Sequence, residues 1–291
     1  MEIDLKFSTF LKTIKDKEHF NNATLANYLG CSEAAVSLYL TNRSLVGYEK
    51  ILSLEEHLRK VDFKDIYDYV FNYFEDGFYH GSRQGIVGEI DPELNIDKTL
   101  DFGNGFYLGT SFKQSSTFVT KEDGNDKVYK FSFSLEGLDV LELRDIRWVL
   151  FVAYNRHKII ESKENEHLIK QIKKVVDHKY DVIIGPIADD RMAISMDNFF
   201  NNNITFGQLI RCLTQLNIGD QYCLKTKKAC KNLTQEVVYI CKDNNLRKLI
   251  RDYKIKTSLE ASRHAEAIIN TKDSGKRYFE LLKEYGKKPL F

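Results

Sequence analysis

Three short stretches concentrate the side chains able to do chemistry: FYHGSRQG at 78–85, DFGNGFYLGT at 101–110 and GDQYCLKT at 219–226. In the second, Asp101, Gly103 and Gly105 put turn-forming and conformationally permissive residues just before the apolar run Phe106, Tyr107, Leu108. A loop should therefore enter a short strand here. A Tyr107 ring held on that strand is a rigid platform for a flat ring, and Gly103 or Gly105 allows a ligand to approach the backbone closely. The first stretch is an apolar, strand-like approach to a polar turn that begins His80-Gly81-Ser82, and the third reads as a turn followed by a strand. No Gly-x-Gly-x-x-Gly follows a strand and no Gly-Lys-Ser/Thr occurs, so neither the dinucleotide-binding fold nor the nucleotide-triphosphate loop is supported.

His-Gly-Ser followed some twenty-five residues later by Gly-Asn-Gly-Phe-Tyr-Leu resembles the ADP-ribosyltransferase superfamily. Within it the chain is more similar to the clade shared by diphtheria toxin and the poly-ADP-ribose polymerases, whose triad is His, Tyr, Glu, than to the clade with Arg, Ser, Glu. The likeness covers about residues 76–228 and is nearest to bacterial members with the Asp-Phe-Gly-x-Gly-Phe-Tyr-Leu signature. It implies NAD as donor substrate, with His80 hydrogen-bonded to its ribose, Gly81 presenting backbone groups to the nicotinamide carboxamide, and Tyr107 stacked on the nicotinamide ring. Ser82 and Gly105 would line the same cleft, and Phe118 would reach the second face of the ring.

The third triad position falls on Gln221, where the family strand begins with Glu. A neutral amide can orient a ribose hydroxyl, but it cannot serve as a carboxylate base or place negative charge beside an oxocarbenium-like state. Three alternatives stay open: an active variant using a strong or differently activated acceptor, use of a neighbouring acid such as Asp220, and an NAD-binding pseudoenzyme. The first is preferred. Asp189, in the acidic turn Ala188-Asp189-Asp190-Arg191 that recurs in the bacterial relatives, is a further NAD-binding candidate, although paired acids beside Arg191 also suit a structural ion pair.

These stretches need a scaffold that mixes short strands with amphipathic helices, and the pattern predicts an α+β fold. The resemblance sharpens this to an ADP-ribosyltransferase-like split β core. Residues 1–60 read as a small helical module. Thr24–Leu29 and Glu33–Leu40, the latter capped by Ser32, flank Gly30 and Cys31 in a manner that resembles a helix-turn-helix of the phage-repressor type. The second helix offers Glu33, Ser37 and Tyr39 but no Arg or Lys before Arg43, a poor complement to phosphates. DNA binding, docking of a protein and a structural cap therefore all remain open. Residues 61–240 form the expected transferase domain, with strands at 128–134 and over Asp-Val-Ile-Ile-Gly-Pro-Ile, and with an Ile146, Val149, Leu150, Ala153 helix. Residues 241–291 form a basic helical extension with breaks near Asn244–Asn245, Asn270–Thr271 and Gly286.

The chain has 291 residues and a formal net charge of +1, unevenly spread. Residues 225–291 carry 17 Lys or Arg against 8 Asp or Glu, leaving an acidic excess in the remainder. That asymmetry suits either a face for nucleic acid or an acidic partner, or the solvated sides of helices. Five cysteines form neither a disulfide framework nor a Cys-x-x-Cys pair, so no metal is expected. No apolar run approaches a membrane span and the N-terminus lacks a secretory pattern, so a cytoplasmic location and no membrane partner are expected.

The resulting expectation is an NAD-dependent ADP-ribosyltransferase that modifies a macromolecule, either nucleic acid or protein. Bacterial relatives suggest a toxin or anti-phage defence effector, with an antitoxin or other regulatory protein, and DNA, as further partners. The alternative is an NAD-binding, DNA-binding regulator with an inactive transferase-like domain. A phosphotransferase of related fold is disfavoured because its second position is usually His, where this chain has Tyr107.

Overall fold

A computed structural model describes residues 1–94, 100–116, 126–159, 161–163, 165–187, 193–214 and 219–289. The chain opens with strand β1 (Glu2–Asp4), then helices α1 (Phe7–Lys17), α2 (Asn22–Leu29), α3 (Glu33–Leu40), α4 (Tyr48–Lys60) and α5 (Ile66–Phe71). Strand β2 (Phe78–Ser82), strand β3 (Phe106–Gly109), helix α6 (Phe112–Ser116), strand β4 (Lys127–Phe133), strand β5 (Val140–Glu142) and helix α7 (Ile146–Asn155) follow. Next come α8 (Glu166–Asp177), β6 (Val182–Pro186), α9 (Ala193–Phe200), α10 (Phe206–Thr214), β7 (Asp220–Leu224), α11 (Lys227–Lys231) and β8 (Leu233–Ile240). The long α12 (Asn244–Ile269) and α13 (Tyr278–Tyr285) complete the described chain. Parallel and antiparallel strand pairs occur together with helices, consistent with the expected α+β class. Among the described residues no helix is long and apolar enough to cross a membrane.

Two compact units are present, both discontinuous in sequence. The first comprises Met1–Ile86, Ser111–Ser132 and Gln235–Ile255; the second comprises Val87–Thr110, Phe133–Thr234 and Lys256–Phe291. In the first, strands run in the order β1-β8-β4-β2, with β1 parallel to β8 and β2 antiparallel to β4. The N-terminal helices bury Phe7, Phe10, Leu11, Leu25, Val36 and Ile51 in one core with Tyr69 of α5 and with Leu246 and Ile250 of α12. The helical module therefore shares its interior with chain from the far end of the sequence. Asp243 ties the two together, accepting from the Phe7 amide at 3.0 Å while its other oxygen caps α12 through Asn245 N–H at 3.0 Å.

Local chemistry sets the helix-turn-helix geometry. Asn21 caps α2 by accepting from the Thr24 amide at 2.7 Å, and Ser32 caps α3 by accepting from the Ala35 amide at 3.2 Å. Gly30 ends α2 in the left-handed region, with φ 59° and ψ 49°. The extension breaks where expected: Asn244–Ile269 is one 26-residue helix that begins at the Asn pair and ends beside Asn270–Thr271, and Tyr278–Tyr285 ends at Gly286. Nothing within that span is Gly or Pro, so no residue forces a break.

In the second unit the strand order is β3-β7-β6-β5, with β7 antiparallel to both β3 and β6, and β5 parallel to β6. One face is covered by α7, whose Trp148, Val149, Phe151 and Val152 are buried with Phe102, Ile183 and Cys223. Trp148 also donates its indole N–H to the Pro186 carbonyl at 3.1 Å.

Candidate active site

Of the sequence-predicted residues, His80, Gly81 and Ser82 lie on β2 of the first unit. His80 pairs in register with Tyr129, Gly81 with Val128 and Ser82 with Lys127. His80 is half-buried, its ring tilted against that of Tyr129 at 6.5 Å between centroids. The Tyr129 hydroxyl accepts from the Ile86 amide at 2.8 Å and so holds the chain that leaves β2. Phe118 and Asp189 fall outside the described residues.

Tyr107, Gly105 and Gln221 belong to the second unit. Strands β3 and β7 pair so that Tyr107 faces Cys223 and Gly109 faces Gln221. Directly opposed residues and those two along a strand share a face. Tyr107 and Gln221 therefore project to the same side of paired strands. The loop that delivers Tyr107 is closed by the residue itself, its hydroxyl donating to the Gly103 carbonyl at 2.6 Å and accepting from the Phe102 amide at 3.1 Å. Burial, then the neighbouring Cys223, pushes the Tyr107 phenol far above its ordinary range. The phenol is a neutral hydrogen-bonding group at any physiological pH.

The two glycines of the loop have different causes. Gly103 has φ +71°, a left-handed conformation that a side chain disfavours. Gly105 is needed for close approach: a Cβ there would meet the Cys223 sulfur and lie 2.9 Å from the Leu224 carbonyl oxygen. The space the missing side chain leaves is filled by strand β7.

Side chains that the sequence did not single out hold this loop. Lys225 donates to the Phe102 carbonyl at 2.7 Å and to that of Asn104; Asn155 donates to the Asp101 carbonyl at 3.0 Å. Asp101, read from sequence as a turn residue, is a buried carboxylate. It forms an ion pair with Arg156 at 2.7 Å and accepts from Gln221 Nε2 at 2.8 Å. Gln221 is itself 8% exposed, and the same nitrogen donates to the Pro186 carbonyl at 3.1 Å. The only sequence signal for this network was polar residues at the end of an otherwise apolar helix, Asn155 and Arg156. Asp220, the neighbouring acid, has both carboxylate oxygens engaged by the Arg144 guanidinium, at 2.9 and 2.7 Å. A bidentate pair of this kind is geometrically fixed and occupies both carboxylate oxygens of Asp220.

Beside the loop lies a cavity of about 600 Å³ with an apolar floor that includes Phe102, Phe151 and Ile183 and with Lys173, Lys179 and Lys225 among its polar lining. Its size is that of an ordinary small-molecule site.

Cys223, directly across from Tyr107, is fully buried, and burial pushes its thiol up to about 11 from an ordinary 9.0. The folded protein should thus resist alkylation at Cys223 at pH 8, which mass spectrometry after brief iodoacetamide treatment would check. Because the folded value is raised, the associated stability is complete below about pH 9 and is lost as pH rises through about 11.

The family profile described as "Protein of unknown function (DUF3990)" matches residues 77–235, more than half of the chain. The chain belongs to this family. The DUF3990 segment contains His80, Tyr107 and Gln221 together with Asp101 and Arg156, and excludes helices α1 to α5, α12 and α13. No curated protein and no solved structure matches the chain.

Proposed function

We propose that this DUF3990 protein is an NAD-dependent ADP-ribosyltransferase acting on a macromolecule. The observation that supports this most is the placement of Tyr107 and Gln221 on one face of the antiparallel pair β3–β7, each on the strand type its motif requires. In this proposal Tyr107 stacks on the nicotinamide of the NAD donor, with Gly105 as neighbouring backbone, while the motif resemblance assigns His80, Gly81 and Ser82 to NAD as an expectation. Gln221 accepts a hydrogen bond from a ribose hydroxyl. Bond cleavage releases neutral nicotinamide through an oxocarbenium-like state, and a nucleophile of the acceptor captures the ribose carbon. The proton on that nucleophile passes to solvent or to the acceptor's own basic group, since Asp220 is occupied by Arg144. A nucleophile with strong intrinsic reactivity suits a site whose third position is an amide.

Incubation of the full chain with isotopically labelled NAD and bacterial extract should yield labelled macromolecule and free nicotinamide. Nuclease-sensitive label would identify a nucleic-acid acceptor, protease-sensitive label a protein. Absence of both nicotinamide release and label would remove the proposal.

A second assignment, a DNA-binding regulator that binds NAD without turnover, draws support from the helical module. The left-handed Gly30 turn sets α2 against α3, Glu33 and Ser37 on α3 and Thr41 at its C-cap are exposed, and Lys6, Arg43 and Lys242 line, with Asp4 and Asp243, one depression of about 330 Å³. If this surface meets DNA, Arg43→Ala should weaken binding uniformly across sequences and lower the salt slope by about one counterion. Fluorescence anisotropy with a labelled duplex at several salt concentrations reads this. An unchanged slope would remove Arg43 from the interface.

A further inference from the structure

We infer that Asp101 is a positioning residue that fixes the side-chain amide of Gln221 so that its carbonyl oxygen, and not its nitrogen, is presented to a ligand. The inference rests on the transferase proposal for its catalytic meaning, but its geometric part stands on contacts within the second unit alone.

A primary amide has two N–H donors on one side and a two-lone-pair acceptor on the other. In Gln221 the nitrogen donates to two acceptors that cannot donate in return, the Asp101 carboxylate at 2.8 Å and the Pro186 carbonyl at 3.1 Å. The reversed amide would set its oxygen against a carboxylate and a carbonyl, opposing three acceptors in a buried space. The orientation is thus dictated by chemistry. The Gln221 Oε1 accepts no hydrogen bond among the described residues. Asp101 is in turn held by Arg156, which reaches Oδ1 through Nη2 at 2.7 Å and Nε at 2.9 Å, while Oδ2 accepts from the amide at 2.8 Å.

The consequence bears on how a glutamine can stand where a glutamate is usual. A carboxylate accepts a ribose hydroxyl through either oxygen and needs no orienting partner. An amide does so only when turned the right way. A carboxylate bonded to the far N–H both enforces that turn and polarises the amide toward its oxygen. Asp101 thereby supplies negative charge to the site one hydrogen bond removed, without a proton changing place. The same contact predicts that a glutamate at 221 would be worse, not better, in this chain. Its carboxylate would lie against Asp101, where two like charges cannot both ionise.

The test combines side-chain NMR with kinetics on the full-length protein. The ¹⁵N-labelled amide pair of Gln221, identified by its disappearance in Gln221→Glu, should exchange slowly with solvent in the wild type and rapidly in Asp101→Asn. Nicotinamide release by Asp101→Asn should show kcat reduced about tenfold or more, the scale on which orienting partners act, with the KM for NAD nearly unchanged. Asp101→Asn should cost nothing further in a Gln221→Ala background. The double variant Asp101→Asn/Gln221→Glu should turn over faster than Gln221→Glu alone, because it restores a carboxylate without the opposing charge. A purely structural role for Asp101 would not produce that rescue. A rapidly exchanging Gln221 pair in the wild type, which needs no variant of Asp101 to fold, would overturn the inference. So would full kcat in Asp101→Asn. A protected pair in a wild type that releases no nicotinamide would instead defeat the transferase proposal and reduce Asp101 to a packing contact.

Discussion

Gln221→Ala should lower NAD turnover by about 100-fold, close to 2.7 kcal/mol of transition-state stabilisation, while leaving the protein folded. Alanine removes the acceptor oxygen that meets the ribose hydroxyl. It leaves the half-buried ion pair between Asp101 and Arg156 in place, so no charge is stranded inside the second unit. The contact matters most when positive charge grows on the ribose, so the loss should appear in kcat more than in affinity for NAD. Nicotinamide release, measured beside calorimetric titration with NAD, separates the two. Equal turnover by wild type and variant would exclude Gln221 from the mechanism and would favour the regulator assignment.

The second large effect is on stability. Gly105→Ala should destabilise the fold by about 3 kcal/mol, the upper end of the overpacking range, which for a chain of this size lowers the melting temperature by roughly 6 to 12 °C. The added methyl would overlap the Cys223 sulfur and sit 2.9 Å from the Leu224 carbonyl oxygen, so β3 and β7 must move apart. The sulfur can be trimmed away, but the backbone oxygen cannot. Gly105→Ala/Cys223→Ala should therefore recover only part of the loss. Since β3 carries Tyr107 and β7 carries Gln221, the same displacement would reduce turnover even at temperatures where the variant stays folded. Thermal unfolding followed by circular dichroism checks the prediction, and a melting temperature within about 2 °C of wild type would contradict it.

Local features were legible where local chemistry decides them. The Ser32 cap, the Gly30 turn, the strand entered through Gly103 and Gly105, and the placement of Gln221 on a strand just after Gly219 all depend on residues a few positions apart. What holds α12 was not legible: packing of Leu246, Leu249, Ile250 and Tyr253 places its first half in a core whose other buried members lie in the first 128 residues.

The sequence by itself determined the strand-and-helix composition, the turn chemistry before Tyr107, and the occurrence of His80, Tyr107 and Gln221 at motif positions, because propensity, capping and glycine conformation act over short separations. Only the tertiary structure decided what those side chains touch. Asp101 and Gln221 are separated by 120 positions, and Asp101 and Arg156 by 55, yet the three form one hydrogen-bonded group. No periodicity or motif spacing encodes such a meeting. It arises because β7 pairs with β3 and α7 packs across the same face, so that buried Asp101 and Gln221 meet the half-buried Arg156 and must satisfy one another.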